Sequence, residues 1–417
     1  MNQRRIVLVT GNSLCHNPRV QKEATALADA GFEVEILGAW LDAGFKARDL
    51  ELLKNAPFRF TPVLDATTQK FAWLQARIRV KAARVWHQRT GRESAWQLGY
   101  TVGALTRVAR QRTADLFIAH SEPALWAVAQ LGRQMADGRW QKFQVGLDME
   151  DWFSEDLLPE ARKQRPIRLI KSLEQRALSG ASHRTCTSHA MSAALAKEYG
   201  CPQPTVVYNS FPWSDRQTLD GQFKDRCDRT VPSLHWYSQT LGAGRGLEEL
   251  FAALPFVKFP LEIHLRGGFN AGTEAWLWPL VPESWRKRVF LHPLVGNAEL
   301  LSRIAEHDIG FAGEQKYCPS RDLTVTNKIL HYLLGGLAVV ASDTAGQREV
   351  AAQADGAVQI YPADDAGALA QRLNFWLENP ERLAAAKAAA LRAAEKTFCW
   401  ERSAPVLVQS VNAALSN

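Results

Sequence analysis

The sequence predicts an α/β chain of two Rossmann-like, doubly wound domains. Three stretches predict it. The chain opens strand, polar loop, helix, strand (RIVLVT, then a helix from Pro18, then EVEILG), the βαβ start of a parallel sheet. A second start follows at Leu234–Tyr237 (LHWY), which leads through a glycine-rich turn into an apolar helix. The third stretch is RDLTVTNKILHYLLGGLAVVASDTAGQREV, Arg321–Val350, read as loop, helix, tight turn, buried strand, turn and helix.

Each element has a local reason. Arg5–Thr10 is the first strand and Gly11–Asn17 a polar loop. Pro18 suits a first helical turn, and Val20, Ala24, Leu27 and Ala28 form an apolar stripe that stops at Gly31. Glu33–Gly38 is the next strand. No G-x-G-x-x-G is present, so a dinucleotide cofactor is not indicated. Phe71–Arg92 reads as a helix in which Phe71, Trp73, Leu74, Ile78, Val85 and Trp86 alternate with bases. Residues 66–92 hold Lys70, Arg77, Arg79, Lys81, Arg84, Arg89 and Arg92 and no acid, which equals the net +7 of the whole chain. Charge this concentrated indicates a partner. An anionic membrane surface fits a basic amphipathic helix with tryptophans. The other arrangement packs the apolar side on the core and leaves the bases in water. No nucleic-acid recognition motif accompanies them.

Ala114–Ala119 is a strand that ends at His120-Ser121-Glu122-Pro123, and Phe143–Leu147 is a strand followed by Asp148-Met149-Glu150-Asp151-Trp152. A ligand binds open α/β sheets at the carboxyl ends of strands, which singles out His120 and these carboxylates. A helix over Pro166–Gly180 and strands over Ala181–Thr187 and Thr205–Asn209 complete the first domain. Pro212–Thr230 is polar and aperiodic, as suits a crossing between domains. Leu261–Leu265, Val289–Leu291 and Asp308–Ala312 are further strands, and Asp365–Leu377 and Pro380–Lys396 amphipathic helices.

A chain of 417 residues with 46% hydrophobic and 22% charged residues is an ordinary soluble composition for two or three domains. No apolar run approaches the roughly 20 residues that span a bilayer, and the amino-terminal apolar run is too short for a signal peptide. The six cysteines (15, 186, 201, 227, 318, 399) form no C-x-x-C pair, and the histidines do not cluster in sequence. Neither a disulfide framework nor a metal site is expected. The chain reads as cytoplasmic, with peripheral attachment to the inner face of a membrane as an option.

In Arg321–Val350, Thr324, Thr326 and Asn327 are N-cap candidates, and Ile329, Leu330, Leu333 and Leu334 recur at helical spacing. Gly335-Gly336 ends that helix, Leu337–Ala341 is a buried strand, and Asp343-Thr344-Ala345-Gly346 turns into a helix near Gln347 with Glu349 in its first turn. Two helix N-termini beside the end of one strand suit a phosphate, and Lys328 can join their N–H groups.

NKILHYLLGGLAVVASDTAGQREV resembles the donor-binding segment of family 4 glycosyltransferases, "pNKlfEYlaaGlPVvas…G…E". GNSLCHNPRVQKEATALADAGFEVEIL, His120–Pro123, DMEDW, TVVYN, SQTLGAGRGLEELFAAL and Phe398-Cys399-Trp400-Glu401 resemble other segments of the same family. The resemblance implies the GT-B fold: two Rossmann-like domains facing across a cleft, 1–212 for the acceptor and 213–396 for the nucleotide sugar, with 397–417 returning to the first. It implies transfer of a sugar from a nucleotide diphosphate sugar to a glycan or lipid-linked acceptor, with retention, in cell-surface polysaccharide or glycolipid synthesis. No cofactor or metal is implied. Catalytic roles carry over to His120, Arg245 and Lys328. Donor contacts carry over to Gly11, Asn12, Glu314, Thr326, Asn327, His331, Gly346 and Glu349, and acceptor contacts to Glu122, Glu150 and Asp151. The chain departs from the pattern at Thr240, where an arginine is usual, and at Leu323 and His331, where the family has a glutamate pair. Glu314 is placed to compensate. Two other functions use the same fold: a non-hydrolysing nucleotide-sugar epimerase and a glycosyltransferase-like scaffold without catalysis.

Overall fold

A computed structural model describes residues 3–134, 143–226 and 229–416. The chain forms two compact units, one of residues 1–187, 191–207 and 404–417, the other of 188–190 and 208–403. The boundaries read from sequence lay at 212 and 396. The stretch read as a crossing, from residue 212, groups with the second unit. Asp220 takes the Arg303 guanidinium at 2.5 Å, and the Asp220 N–H donates to Ser302 Oγ at 3.1 Å.

The first unit carries seven parallel strands: β1 (Arg5–Val9), β2 (Glu33–Trp40), β3 (Arg59–Asp65), β4 (Leu116–Ala119), β5 (Gln144–Met149), β6 (His183–Cys186) and β7 (Thr205–Val206). Their order is β3-β2-β1-β4-β5-β6-β7. The second unit carries β8 (Ser233–Thr240), β9 (Glu262–Gly268), β10 (Val289–His292), β11 (Ile309–Ala312), β12 (Ala338–Ser342) and β13 (Val358–Tyr361), in the order β10-β9-β8-β11-β12-β13. Central strands such as Ile6–Val9 and Ala338–Ala341 are fully buried, as two-sided helical cover of a parallel sheet requires. In both sheets the strand order reverses once, between β1 and β4 and between β8 and β11. Loops leave such a switch point in opposite directions and open a crevice.

Several elements were not anticipated, among them β3, whose Pro62 argues against a strand, β13, and the helices Ala43–Leu52, Val102–Ala109 and Glu122–Gln134. Pro62 sits beside a register shift at Gly38/Ala39, on an edge strand that tolerates it. The helix Trp400–Ser416 carries Pro405 and delivers Ala404–Asn417 to the first unit, where Arg4 donates to the Leu415 carbonyl at 2.7 Å. The helix Lys70–Thr90 buries Val80 and Ala83 and leaves Phe71, Leu74, Ile78 and Trp86 exposed. The expectation that its apolar side could pack inward is therefore corrected.

Histidines scattered in sequence meet in the second unit. His264 Nδ1 lies 3.0 Å from His292 Nε2, the His235 and His307 rings stack at 4.7 Å, and His307 Nδ1 lies 3.0 Å from Ser233 Oγ. Glu262 borders His264, Asp225 faces His292 and His307, and Arg266 and Arg226 complete the surround. Burial, then the neighbouring histidines, pushes His264 down to about 2. Burial pushes His307 down to about 4, against the pull of Asp225. The unfolded chain takes up these protons near pH 6.5, before the folded unit does, so stability falls as pH drops from there toward 4. The expected loss at pH 4 from His307 alone is on the order of 2–3 kcal/mol. Hydrogen exchange at pH 7 and pH 5, corrected for intrinsic rates, should show weaker protection in β8–β11. Unchanged protection would refute this account.

Candidate active site

In the first unit the switch-point crevice is defined by the loop after β1 and the end of β4. Gly11 is buried, and a Cβ there would press on Thr101 and Pro123. Asn12 is exposed, and its carbonyl accepts from the Ala39 N–H at 3.1 Å. The loop beyond is not free: the Asp49 carboxylate accepts from the Leu14 N–H at 2.8 Å and the Cys15 N–H at 2.7 Å.

His120 follows β4 and its ring is fully enclosed. It lies 3.3 Å from Glu23, 3.4 Å from Asp148 and 3.4 Å from Glu150. Arg19 bonds Asp148 through Nε at 2.5 Å and Nη2 at 2.8 Å, lies 3.3 Å from Glu23, and donates to the Val207 carbonyl at 2.8 Å. Thr185 donates to Asp148 at 2.6 Å. Burial alone would lower the His120 imidazole, but Glu23, Asp148 and Glu150 push it up to about 10. Burial and Asp148 push Glu23 up to about 7. Burial would raise Asp148, yet Arg19 holds it far below the usual carboxylate range. The result is a buried charge cluster whose carboxylates favour the cationic form of His120. The Glu23, His120 and Asp148 ligand atoms lie within 4.8 Å of one another, spacing a metal ion would accept. Here Arg19 and His120 supply the positive charge.

His120, a catalytic candidate in the sequence, has its ring enclosed within this cluster. The member of this cluster that reaches the surface is Glu150, whose side chain is 25% exposed and accepts from Asn17 Nδ2 at 2.9 Å. Asp151 stands half-buried beside it, and Glu122 is tied to Arg165.

In the second unit the corresponding crevice lies between the ends of β8 and β11. Gly244 and Gly246 take positive φ of 73° and 81°. Gly246 is also pressed against the Gly313 carbonyl, so a side chain there would collide. This close approach sets the turn that carries Arg245 beside the turn that carries Glu314. Arg245 is exposed and donates to Ser238 Oγ at 2.8 Å. Lys328 pairs with Glu314 at 2.7 Å and lies 5.9 Å from the Trp236 ring. Burial would raise the Glu314 carboxyl, but Lys328 holds it below its ordinary range. Ser342, ending β12, donates to the Glu314 carbonyl at 2.6 Å. The ends of β8, β11 and β12 are thereby joined.

Thr326 is the N-cap of the helix Asn327–Gly335 but makes no side-chain cap bond. Asn327 is exposed and accepts from Asn209 Nδ2 at 3.1 Å. His331 stacks on Phe211 at 3.4 Å, and its Nδ1 lies 2.8 Å from the Tyr237 hydroxyl. The phosphate expectation for the second helix N-terminus is corrected. The Ala345 N–H already donates to Asp322 at 3.1 Å and the Gln347 N–H to Thr344 Oγ1 at 3.1 Å. Gly346 is required because a Cβ would collide with the Thr324 carbonyl. Glu349 is engaged as well: it accepts from the Tyr208 hydroxyl at 2.6 Å and from the His189 and Ala190 amides at 3.0 and 3.1 Å. Of the donor candidates in this unit, Arg245 is exposed, Thr326 leaves the start of Asn327–Gly335 without a side-chain cap, and Lys328 is held by Glu314.

Sequence reasoning missed Arg19 and Glu23 as partners of His120 and Asp148. The available signal was an i,i+4 pair of opposite charges beside the stripe of Val20, Ala24 and Leu27.

These features are those of the GT-B fold, two parallel sheets each with one switch point. Residues 16–211, most of the first unit, match the glycosyl transferase 4-like domain. The fold is similar to sucrose-phosphate synthase from Thermosynechococcus elongatus, with TM-score 0.68 and 16% identity over 99% of this chain and 100% of that one. It is similar to Anabaena HepE, solved with UDP and glucose, with TM-score 0.66 and 17% identity over 99% and 100%. A putative UDP-N-acetylglucosamine 2-epimerase from Listeria monocytogenes has TM-score 0.58 and 12% identity over 99% and 97%. No curated protein is significantly similar in sequence.

Proposed function

We propose that the protein transfers a sugar from a nucleotide diphosphate sugar to a glycan or lipid-linked acceptor, in cell-surface polysaccharide or glycolipid synthesis. The observation that carries this is the joined edge of the second unit, where Arg245 and Lys328 flank the uncapped helix end. The leaving diphosphate gains negative charge as the glycosidic bond breaks. Preorganised cations and N–H groups lower that barrier without a metal. An arginine grips phosphate through two parallel hydrogen bonds, and a lysine acts as a point charge. HepE, of the same fold, has been solved with UDP, which supports the same donor class here. Glu150, with Asp151 beside it, serves the acceptor, and His120 positions Glu150. Retention at the anomeric carbon rests on the family resemblance.

The test is a thermal-shift screen against UDP, GDP, ADP and their sugars. One nucleotide class should raise the unfolding temperature, by the equivalent of about 2.7 kcal/mol at 100 times its dissociation constant. No shift with any of them would overturn the proposal. Product NMR then reads the anomeric configuration. An epimerase is the second reading, favoured by the Listeria neighbour. Epimer formed without acceptor would select it.

A further inference from the structure

We infer that the helix Lys70–Thr90 is a membrane-docking element that lays an apolar stripe into an anionic lipid surface. It goes beyond the donor reading and stands independently of it. The fold puts this helix on the first unit with its small face inward. Val80 and Ala83 are buried, Trp73 packs edge-on against Tyr100 at 4.9 Å, and Arg79 lies 5.0 Å over the Trp96 ring. The opposite face is the unusual one. Phe71 is 74% exposed, Leu74 51%, Ile78 58%, Val85 37% and Trp86 54%.

Positions 71, 74, 78 and 85 fall within one narrow arc of a helix with 3.6 residues per turn, and Trp86 borders it. Lys70, Arg77, Lys81 and Arg84 run along one border of that arc, Arg79 lies on the other side, and Arg89 continues the stripe toward the helix end. A soluble helix turns its large apolar residues to the core. This one turns them to solvent and rims them with cations.

The occupant follows from charge and shape. A second copy of the same face would bring seven cations against seven, with no acid on residues 66–92 to offset them. A polyanion without an apolar phase would leave Phe71, Ile78 and Trp86 uncovered. A bilayer with anionic headgroups satisfies both borders and stripe: bases meet phosphates while the stripe enters the headgroup–acyl boundary. Arginine and lysine stems can also cover apolar surface while their heads stay in the charged layer.

The experiment is vesicle flotation with the full chain. Vesicles of equimolar phosphatidylglycerol and phosphatidylcholine should bind it, and binding should weaken with added salt. Pure phosphatidylcholine vesicles should bind at least about tenfold less, because the electrostatic part is missing. F71S with I78S should lose about tenfold or more of the binding to anionic vesicles, with unchanged thermal stability, since both side chains are exposed. Trp86 emission should shift to the blue on binding, and W86F should abolish that shift. Absence of binding to anionic vesicles would overturn the inference, as would equal binding to both vesicle types or full binding by F71S/I78S. A concentration-dependent dimer abolished by F71S/I78S, without vesicle binding, would assign the face to a second copy instead. Nucleotide binding measured without vesicles should be the same for wild type and F71S/I78S, so failure here leaves the donor reading untouched.

Discussion

Alanine at both Arg245 and Lys328 should lower kcat/KM for sugar transfer roughly 1,000-fold, about 4 kcal/mol of transition-state stabilisation. The reasoning starts from where charge appears. A diphosphate leaving group becomes more anionic as the bond to the sugar breaks, so cations placed on it favour the transition state over the bound donor. Arg245 is the cleaner half of the test. It is exposed and its side chain donates to the Ser238 hydroxyl, so R245A should cost roughly 100-fold in activity and little stability. Lys328 has a second role. Its loss strands the mostly buried Glu314 carboxylate, which costs stability by ~2 kcal/mol. The variant E314Q separates the two roles. With the carboxylate neutralised, K328A should lose activity without the stability penalty. Undiminished transfer by R245A/K328A would end the assignment of this edge to the donor.

Much of the frame was readable because parallel sheets announce themselves. LAVVA between Gly335-Gly336 and Asp343 could only be a short buried strand, and β12 is Ala338–Ser342. His120 at the end of β4 was readable for the same reason. What it touches was not. Arg19 and Asp148 are 129 residues apart, and no local pattern joins them. The general rule that arginine and glutamate stay exposed pointed the wrong way for Arg19 and Glu23, whose cost of burial is met by each other, by Asp148 for Arg19 and by His120 for Glu23. The four-histidine cluster escaped for the same reason, since β8, β9, β10 and the turn before β11 bring it together only when the sheet forms. The Lys70–Thr90 helix shows the complementary gap. Its amphipathicity was plain in the sequence, but which face meets the core depended on neighbours such as Tyr100 and Trp96.

The buried cluster yields the largest stability effect expected in the first unit. Arg19→Met should destabilise that unit by about 3–5 kcal/mol, because it leaves Asp148 and Glu23 buried without their cation. A fall of that size is a large fraction of a typical domain's total stability. Methionine keeps the volume, so the effect reports charge and hydrogen bonding more than a cavity. The pH dependence identifies the cause. In the wild type Arg19 holds Asp148 below its unfolded value, so that contribution is complete above the unfolded pKa and fades as pH falls through the folded one. In R19M the same carboxyl should rise above its unfolded value. The folded state then binds the extra proton, and the variant should gain stability as pH drops from 8 to 6. Adding Asp148→Leu should recover part of the loss, since an apolar replacement removes the stranded charge. Urea unfolding of R19M followed by hydrogen exchange in β1, β4 and β5 measures all three. A midpoint within about 0.5 kcal/mol of wild type at pH 8 would show that Arg19 is not what neutralises the cluster. His120 would then have to carry that charge alone.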